Sequence, residues 1–293
     1  MSNFRPIEEV FQGPKPHWVG SAFHVSNYFP SGRNLLERFT PFILMDYGAP
    51  HDFNPSSTPR GIGAHPHRGF ETVTIAYEGY VEHHDNTGQH GIIGPGDVQW
   101  MTAASGILHK EYLEKEFNSR GGILHMIQLW INLPKKSKLD KPKYQELLKE
   151  NMGSFSIPNN GGNVTIIAGE FNGIKGPAST FTPINMYTIH LENKGEISFN
   201  EPSNFNTGFL VLKGNVKVND SKDCNRGDFV LFENKEGIIK IESISDNAMI
   251  IILSGEPIDE PIATGGPFVM NTREEIKQAS DDFREGKFGS LDF

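Results

Sequence analysis

Short runs of β-branched and aromatic residues, each closed by Gly, Asn, Asp or Pro, make up most of the hydrophobic pattern. Glu71-Thr72-Val73-Thr74-Ile75-Ala76-Tyr77 stops at Glu78-Gly79. Tyr80 to His83 alternates and turns at Asp85-Asn86-Thr87-Gly88. Gly94-Pro95-Gly96-Asp97 is a further turn, followed by Val98-Gln99-Trp100-Met101, and Ile123 to Leu133 is a longer β-like run. Strands repeated at this spacing predict an all-β sandwich or barrel. Two helices are expected. Lys143 to Asn151 reads as a short one. Asn271-Thr272-Arg273-Glu274 opens the clearer one like a capping box, with Ile276, Ala279 and Phe283 on one face and Gly286 at its end.

The pattern occurs twice. Glu78-Gly79-Tyr80-Val81-Glu82 and Gly94-Pro95-Gly96-Asp97-Val98 are echoed by Lys213-Gly214-Asn215-Val216-Lys217 and Arg226-Gly227-Asp228-Phe229-Val230, with the second turn shorter by four residues. A duplicated β-domain follows, rather than a short-period solenoid. The expected division is a first barrel over 1–135, a linker over 136–158 rich in Lys, Pro and Asn, and a second barrel over 159–293 ending in the helix.

Of the 11 histidines, all but His190 lie within the first 125 residues, so candidate chemistry concentrates there. His65-Pro66-His67 is the sharpest feature. Residues i and i+2 of an extended segment share a face, so both imidazoles can reach one point. His109-Lys110-Glu111 repeats the device with a carboxylate. Two such strands can close His65, His67, His109 and Glu111 around one cation, and this donor set suits Fe, Mn, Ni, Cu or Zn. A thiolate site is excluded, because Cys224 is the single cysteine. His83, His84 and His90 lie in or beside a turn and are expected to be solvated. His125, inside an apolar run, is expected to be a hydrogen-bonded core residue.

Composition narrows the field. A net charge of −9 over 293 residues lacks the footprint of a protein that grips phosphate backbones, so direct nucleic-acid binding is not expected. One cysteine, no apolar stretch of membrane-spanning length and no signal-peptide core near Met1 lead us to expect a cytoplasmic protein, with a nuclear location open for a eukaryotic one.

Three separated segments carry a family resemblance. Gly63-Ala64-His65-Pro66-His67-Arg68-Gly69-Phe70-Glu71-Thr72-Val73-Thr74 resembles the first signature of the pirin family. Gly94 to Ala103, with Gly106-Ile107-Leu108-His109-Lys110-Glu111, resembles its second, and Gly266 to Thr272 with Glu274-Glu275-Ile276 resembles its C-terminal segment. The resemblance covers about residues 20 to 288. It implies a bicupin, two β-barrels packed face to face, with one iron in the first barrel held by His65, His67, His109 and Glu111. Registering Gly79 on Gly214 puts Asn200 and Pro202 where the first barrel has His65 and His67. After the shorter turn, Lys240 and Glu242 fall where it has His109 and Glu111. One carboxylate cannot hold a metal, so the second barrel is expected to be metal-free.

Some pirin-like proteins are similar in activity to quercetin 2,3-dioxygenases, which open a flavonol with O₂ and release carbon monoxide. The resemblance therefore implies Fe(II), or another first-row divalent metal in recombinant protein, with a flavonol-like aromatic and O₂ as substrates. Glu111 would be ligand and general base. Glu71, four residues after His67, is either a hydrogen-bonding partner behind a ligand imidazole or a plain buried carboxylate. Phe70, Ile75, Trp100, Met101 and Leu108 either wall a pocket or belong to the core. Eukaryotic pirins resemble transcriptional co-regulators, so an iron-dependent redox sensor with a protein partner is the alternative, and the ligand set would also serve a sugar-isomerase-like cupin. A bicupin pairs its barrels within one chain and is compatible with a monomer.

Overall fold

The β-branched runs become strands where expected: Phe70–Glu78, Val81–Asp85, Val98–Thr102 and Gly122–Asn132. The computed structural model describes residues 3–291. Gly79 and its counterpart Gly214 lie at φ of 83° and 69°, a left-handed conformation that glycine adopts without a Cβ penalty, at the turn between two strands. No helix among the described residues is long and apolar enough to cross a membrane.

The chain divides into two compact units. One comprises Pro14–Glu37, Pro41–Glu150 and the chain from Ile258 on. Its seven-stranded antiparallel sheet runs in the order Lys143–Leu147, Val98–Thr102, Phe70–Glu78, Gly122–Asn132, Phe42–Phe53, Phe23–Phe29, His17–Val19. A four-stranded sheet has the order Gly61–His67, Ile107–Leu113, Val81–Asp85, His90–Ile93. Phe23, Val25, Ala76 and Met126 from the first sheet meet Val81, Ile93 and Leu113 from the second in one buried cluster. The C-terminal helix, Arg273–Arg284, has the expected capping box, in which Thr272 and Glu275 satisfy each other's backbone N–H groups. Its Ala279 packs with Leu108, Phe268 and Phe288.

The other unit comprises the chain up to Gly13, Arg38–Thr40 and Asn151–Pro257. It repeats the plan, with a seven-stranded sheet and a four-stranded sheet ordered Glu196–Phe199, Ile239–Ser243, Asn215–Val218, Lys222–Asn225. A large apolar cluster lies in its interior, including Val216, Val218, Ile239 and Ile241.

Three expectations are corrected. Lys143 to Asn151 is not a helix: Lys143–Leu147 is an edge strand pairing with Val98–Thr102, followed by a short 3₁₀ turn at Lys149–Asn151. The boundaries at 135 and 159 are crossed by both ends of the chain. The first strand, Ile7–Gln12, joins the sheet of the second barrel by pairing with Asp228–Phe232, while the C-terminal helix belongs to the first barrel's unit. Finally, Lys240 and Glu242 are not the interior positions of the second barrel. In the first barrel His83 is the register partner of Glu111, and the buried residue in its place, Val218, pairs with Ile241. The interior equivalents of Glu111, His109 and His65 are therefore Ile241, Ile239 and Phe199, one residue earlier in each case. A one-residue slip exchanges the faces of a strand, so Lys240 turns out to pair with Glu196 and Asp220 instead.

Candidate metal centre

Three neighbouring strands of the four-stranded sheet build the site. Gly61–His67 and Val81–Asp85 flank Ile107–Leu113, and the register sets His65 opposite His109, His109 opposite Asp85, and Glu111 opposite His83. Alternation then turns His65, His67, His109, Glu111, His83 and Asp85 to one face. One ring nitrogen from each of His65, His67 and His109 lies within 4.8 Å of the other two, as do one ligand atom each from His83, His109 and Glu111. His109 belongs to both groups and is the hinge of the cluster. The ring centroids of His65 and His67 stand 4.2 and 4.7 Å from that of His109.

The donor atoms are prepared to hold a cation. His65 Nδ1 lies 2.9 Å from the Gly63 carbonyl, which assigns the proton to Nδ1 and leaves Nε2 as an acceptor. His67 Nδ1 and His109 Nε2 are buried with no hydrogen-bond partner in the protein. Burial, reinforced by the neighbouring imidazoles, holds the pKa values of His67 and His109 well below the ordinary histidine value. Both rings are thus neutral at pH 7, the form that ligates metal. Glu111, 2% exposed, accepts hydrogen bonds from Gln128 Nε2 at 3.2 and 3.1 Å and from Thr74 Oγ1 at 3.4 Å. The imidazoles of His65, His67 and His109, with Glu111 grouped beside His83 and the shared His109, are donors of the kind that fit a first-row transition metal.

His83 departs from expectation. It is fully buried, because Val81–Asp85 stays extended through both histidines and the turn begins only after Asp85. Asp85 Oδ1 closes that turn by accepting from the Thr87 N–H, the Thr87 hydroxyl and the Gln89 N–H. The other oxygen, Oδ2, lies 3.6 Å from His83 Nε2, and His83 Nδ1 lies 3.3 Å from His109 Nδ1. A carboxylate, an imidazole and the candidate ligand His109 thus stand in a row. Tyr144, on the strand mistaken for a helix, stacks on His83 at 5.5 Å. Their signal in the sequence was His83-His84-Asp85 itself, since a strand must send His83 and Asp85 to the face opposite His84. His84 and His90 are partly exposed, as expected, and His125 lies in the core, packed against Tyr47 and Tyr77, with its Nε2 buried and not hydrogen-bonded.

Glu71 is buried, 1% exposed, on the strand that follows the turn after His67. Gly69, at φ of 89°, ends the extended run after His67, so the four-residue spacing carries no face relationship across it. The Thr102 hydroxyl donates to Glu71 Oε1 at 2.7 Å. Burial raises the Glu71 pKa to about 7 against the opposing pull of Thr102 and Trp100. Phe70 alone of the five apolar candidates has a ring contact to the cluster: it lies 5.1 Å from His67 and stacks on Trp130, itself 5.2 Å from His67. Leu108 packs on the C-terminal helix, Met101 joins Ala103 and Ile107, and Ile75 and Trp100 are buried.

Residues 22–131 match the pirin family model and residues 186–289 match that of the pirin C-terminal cupin domain. A Pseudomonas aeruginosa protein, provisionally named a quercetin 2,3-dioxygenase, is 44% identical over 95% of this chain and 96% of its own. The chain belongs to the pirin family. This pirin is also 35% identical to a pirin-like protein of Caulobacter vibrioides over 97% of the chain and 99% of that protein. A crystal structure of quercetin 2,3-dioxygenase from Acinetobacter baumannii superposes with a TM-score of 0.94 at 40% identity, covering 99% of this pirin and all of that chain. The two sandwich-like units are its two cupin domains.

Proposed function

We propose that this pirin is an iron-dependent dioxygenase that opens a flavonol or a related enol with O₂, both oxygen atoms entering the organic product as carbon monoxide leaves. His65, His67, His109 and Glu111 hold the metal. The observation that carries the reading is this imidazole–carboxylate cluster, inside a chain alike over its full length to a quercetin 2,3-dioxygenase. Fold alone would not support a reaction, since cupins host many.

A bound divalent metal supplies Lewis acidity that favours the enolate form of the substrate. The remaining work falls to the chain. Glu111 accepts the proton of the enol hydroxyl at a carboxylate oxygen, and Gln128 and Thr74 keep that carboxylate aimed while it does so. Phe70 and Trp130 flank His67 with aromatic surface that keeps water from one side of the cluster. His83, backed by Asp85, fixes the ring of His109.

The test is O₂ consumption with quercetin by protein reconstituted anaerobically with one equivalent of Fe(II), beside a His65→Ala/His67→Ala control. Uptake with carbon monoxide release in the wild type and neither in the control is the expected result. A wild type that holds its iron and consumes no O₂ with flavonols would sink the proposal.

A further inference from the structure

The opposite face of the same sheet carries a second cluster of metal-ligand side chains. Along Val81–Asp85 the buried positions are 81, 83 and 85, so Glu82 and His84 point outward. His84 and His90 are register partners across the hairpin, and their rings stack at 4.2 Å and 28°. Both Nε2 atoms converge on one oxygen: Glu82 Oε1 lies 2.8 Å from that of His84 and 3.1 Å from that of His90. The side chains of Glu82, His84 and His90 are 24, 36 and 49% exposed, open enough for an ion to reach.

We propose that Glu82, His84 and His90 form a surface site for a divalent transition-metal ion such as Zn(II), Ni(II) or Cu(II), separate from the buried centre. Two imidazoles and one carboxylate are the donors such borderline ions prefer over Mg(II) or Ca(II). The backbone fixes the triangle: residues i and i−2 of one strand share a face with the cross-strand partner of i. Donors about 2.0–2.1 Å from zinc in a tetrahedron stand about 3.3–3.4 Å apart. Both nitrogen–oxygen separations are a few tenths of an ångström short of that spacing, so small side-chain adjustments admit the ion. Glu82 supplies the negative charge. Lys110, the register partner of His84 on its other side, sets a cation beside the site and moderates its affinity.

A metal held on a resin can reach surface ligands and not buried ones, which separates this site from the proposed iron centre. Untagged full-length protein is applied to immobilised Ni(II) and eluted with an imidazole gradient. Wild type is expected to be retained. His84→Ala/His90→Ala should elute early and Glu82→Gln in between. His24→Ala/His51→Ala, altered in a different aromatic cluster, should elute with the wild type. Equilibrium dialysis against Zn(II) should give wild type one more bound equivalent than His84→Ala/His90→Ala, and His65→Ala/His67→Ala should keep that extra equivalent. Equal retention and equal zinc content in wild type and His84→Ala/His90→Ala would overturn the proposal. Loss of retention in the His24/His51 variant alone would overturn it too.

Discussion

Adjacent histidines on a strand meet opposite environments, and at His83 and His84 that difference separates a buried positioning residue from a surface ligand. Both are expected to be solvated because Gly, Asn and Asp follow closely; the two-residue period of Val81–Asp85 buries His83 and leaves that true of His84 alone. With His109 Nδ1 engaged by His83 and Asp85 behind it, the ring of His109 is held with Nε2 free. Removing such a partner costs about 10–100-fold in metal affinity. His83→Ala should weaken metal binding by that order, with a changed Co(II) visible spectrum, and His83→Gln should recover part of it. Unchanged affinity and spectrum in His83→Ala would mean that the imidazole only fills space. Glu71 sets a second expectation. Its folded pKa of about 7 exceeds the unfolded value, so the native state binds more protons between about pH 4.5 and 7. The stability it contributes is complete below that window and is lost as pH rises through it, on the order of 3 kcal/mol by its upper end. Glu71→Gln should therefore gain stability relative to wild type between pH 4.5 and 7 in urea unfolding curves. A difference that stays flat with pH would rule this out.

At the scale of elements, the strands near the site were legible because each is short, β-branched and closed by a turn that its own residues dictate. The edge strand Lys143–Leu147 was not. Lys, Gln, Glu and Leu favour a helix locally, but the free edge of Val98–Thr102 offers a ladder of backbone hydrogen bonds and a place for Tyr144 beside Met101 and His83. That His65 and His67 share a face, and His109 and Glu111 another on the neighbouring strand, was legible for the reason the strands were, since i, i+2 spacing survives any loop. Gln128, Thr74 and Trp130 were not, because nothing in their spacing ties them to histidines on other strands. Lys138 was equally hidden. It is 1% exposed, and its Nζ donates to the Gly69 carbonyl at 2.7 Å, Asn132 Oδ1 at 2.6 Å and the Val269 carbonyl at 2.9 Å. One ammonium thereby joins the turn after His67, the end of the Gly122–Asn132 strand and the C-terminal segment. Lys138→Met would strand three buried acceptors, each costing about 1–3 kcal/mol. Its urea midpoint should fall by the equivalent of roughly 3 kcal/mol or more. A loss below about 0.5 kcal/mol would put the cohesion of these elements elsewhere.

Over the whole molecule, the duplication was readable from two Gly-turn-Gly echoes, and both units have the seven-plus-four sheet plan it implied. What the echoes could not carry was the exchange of ends, because the partners of Ile7–Gln12 lie more than 200 residues away and no local pattern records them. Nor could turn spacing fix the strand phase of the second barrel to the single residue that decides which side chains face in. With that phase corrected, the contrast between the units is sharper than sequence alignment suggested: where the first barrel presents His65, His109 and Glu111, the second presents Phe199, Ile239 and Ile241, which offer no ligand atom. Metal binding should therefore stabilise the molecule unevenly. At a free metal concentration about 100 times the dissociation constant, linkage adds about 2.7 kcal/mol to the native state. Measured by hydrogen exchange on the His84→Ala/His90→Ala protein, the added protection should gather in Gly61–His67, Val81–Asp85 and Ile107–Leu113. Glu196–Phe199, Asn215–Val218 and Ile239–Ser243 should exchange as they do without metal. His65→Ala/His67→Ala should abolish the gain. Equal protection of both sets of strands would mean that the metal acts on the chain as one cooperative body, and that the apolar interior of the second barrel does not insulate it.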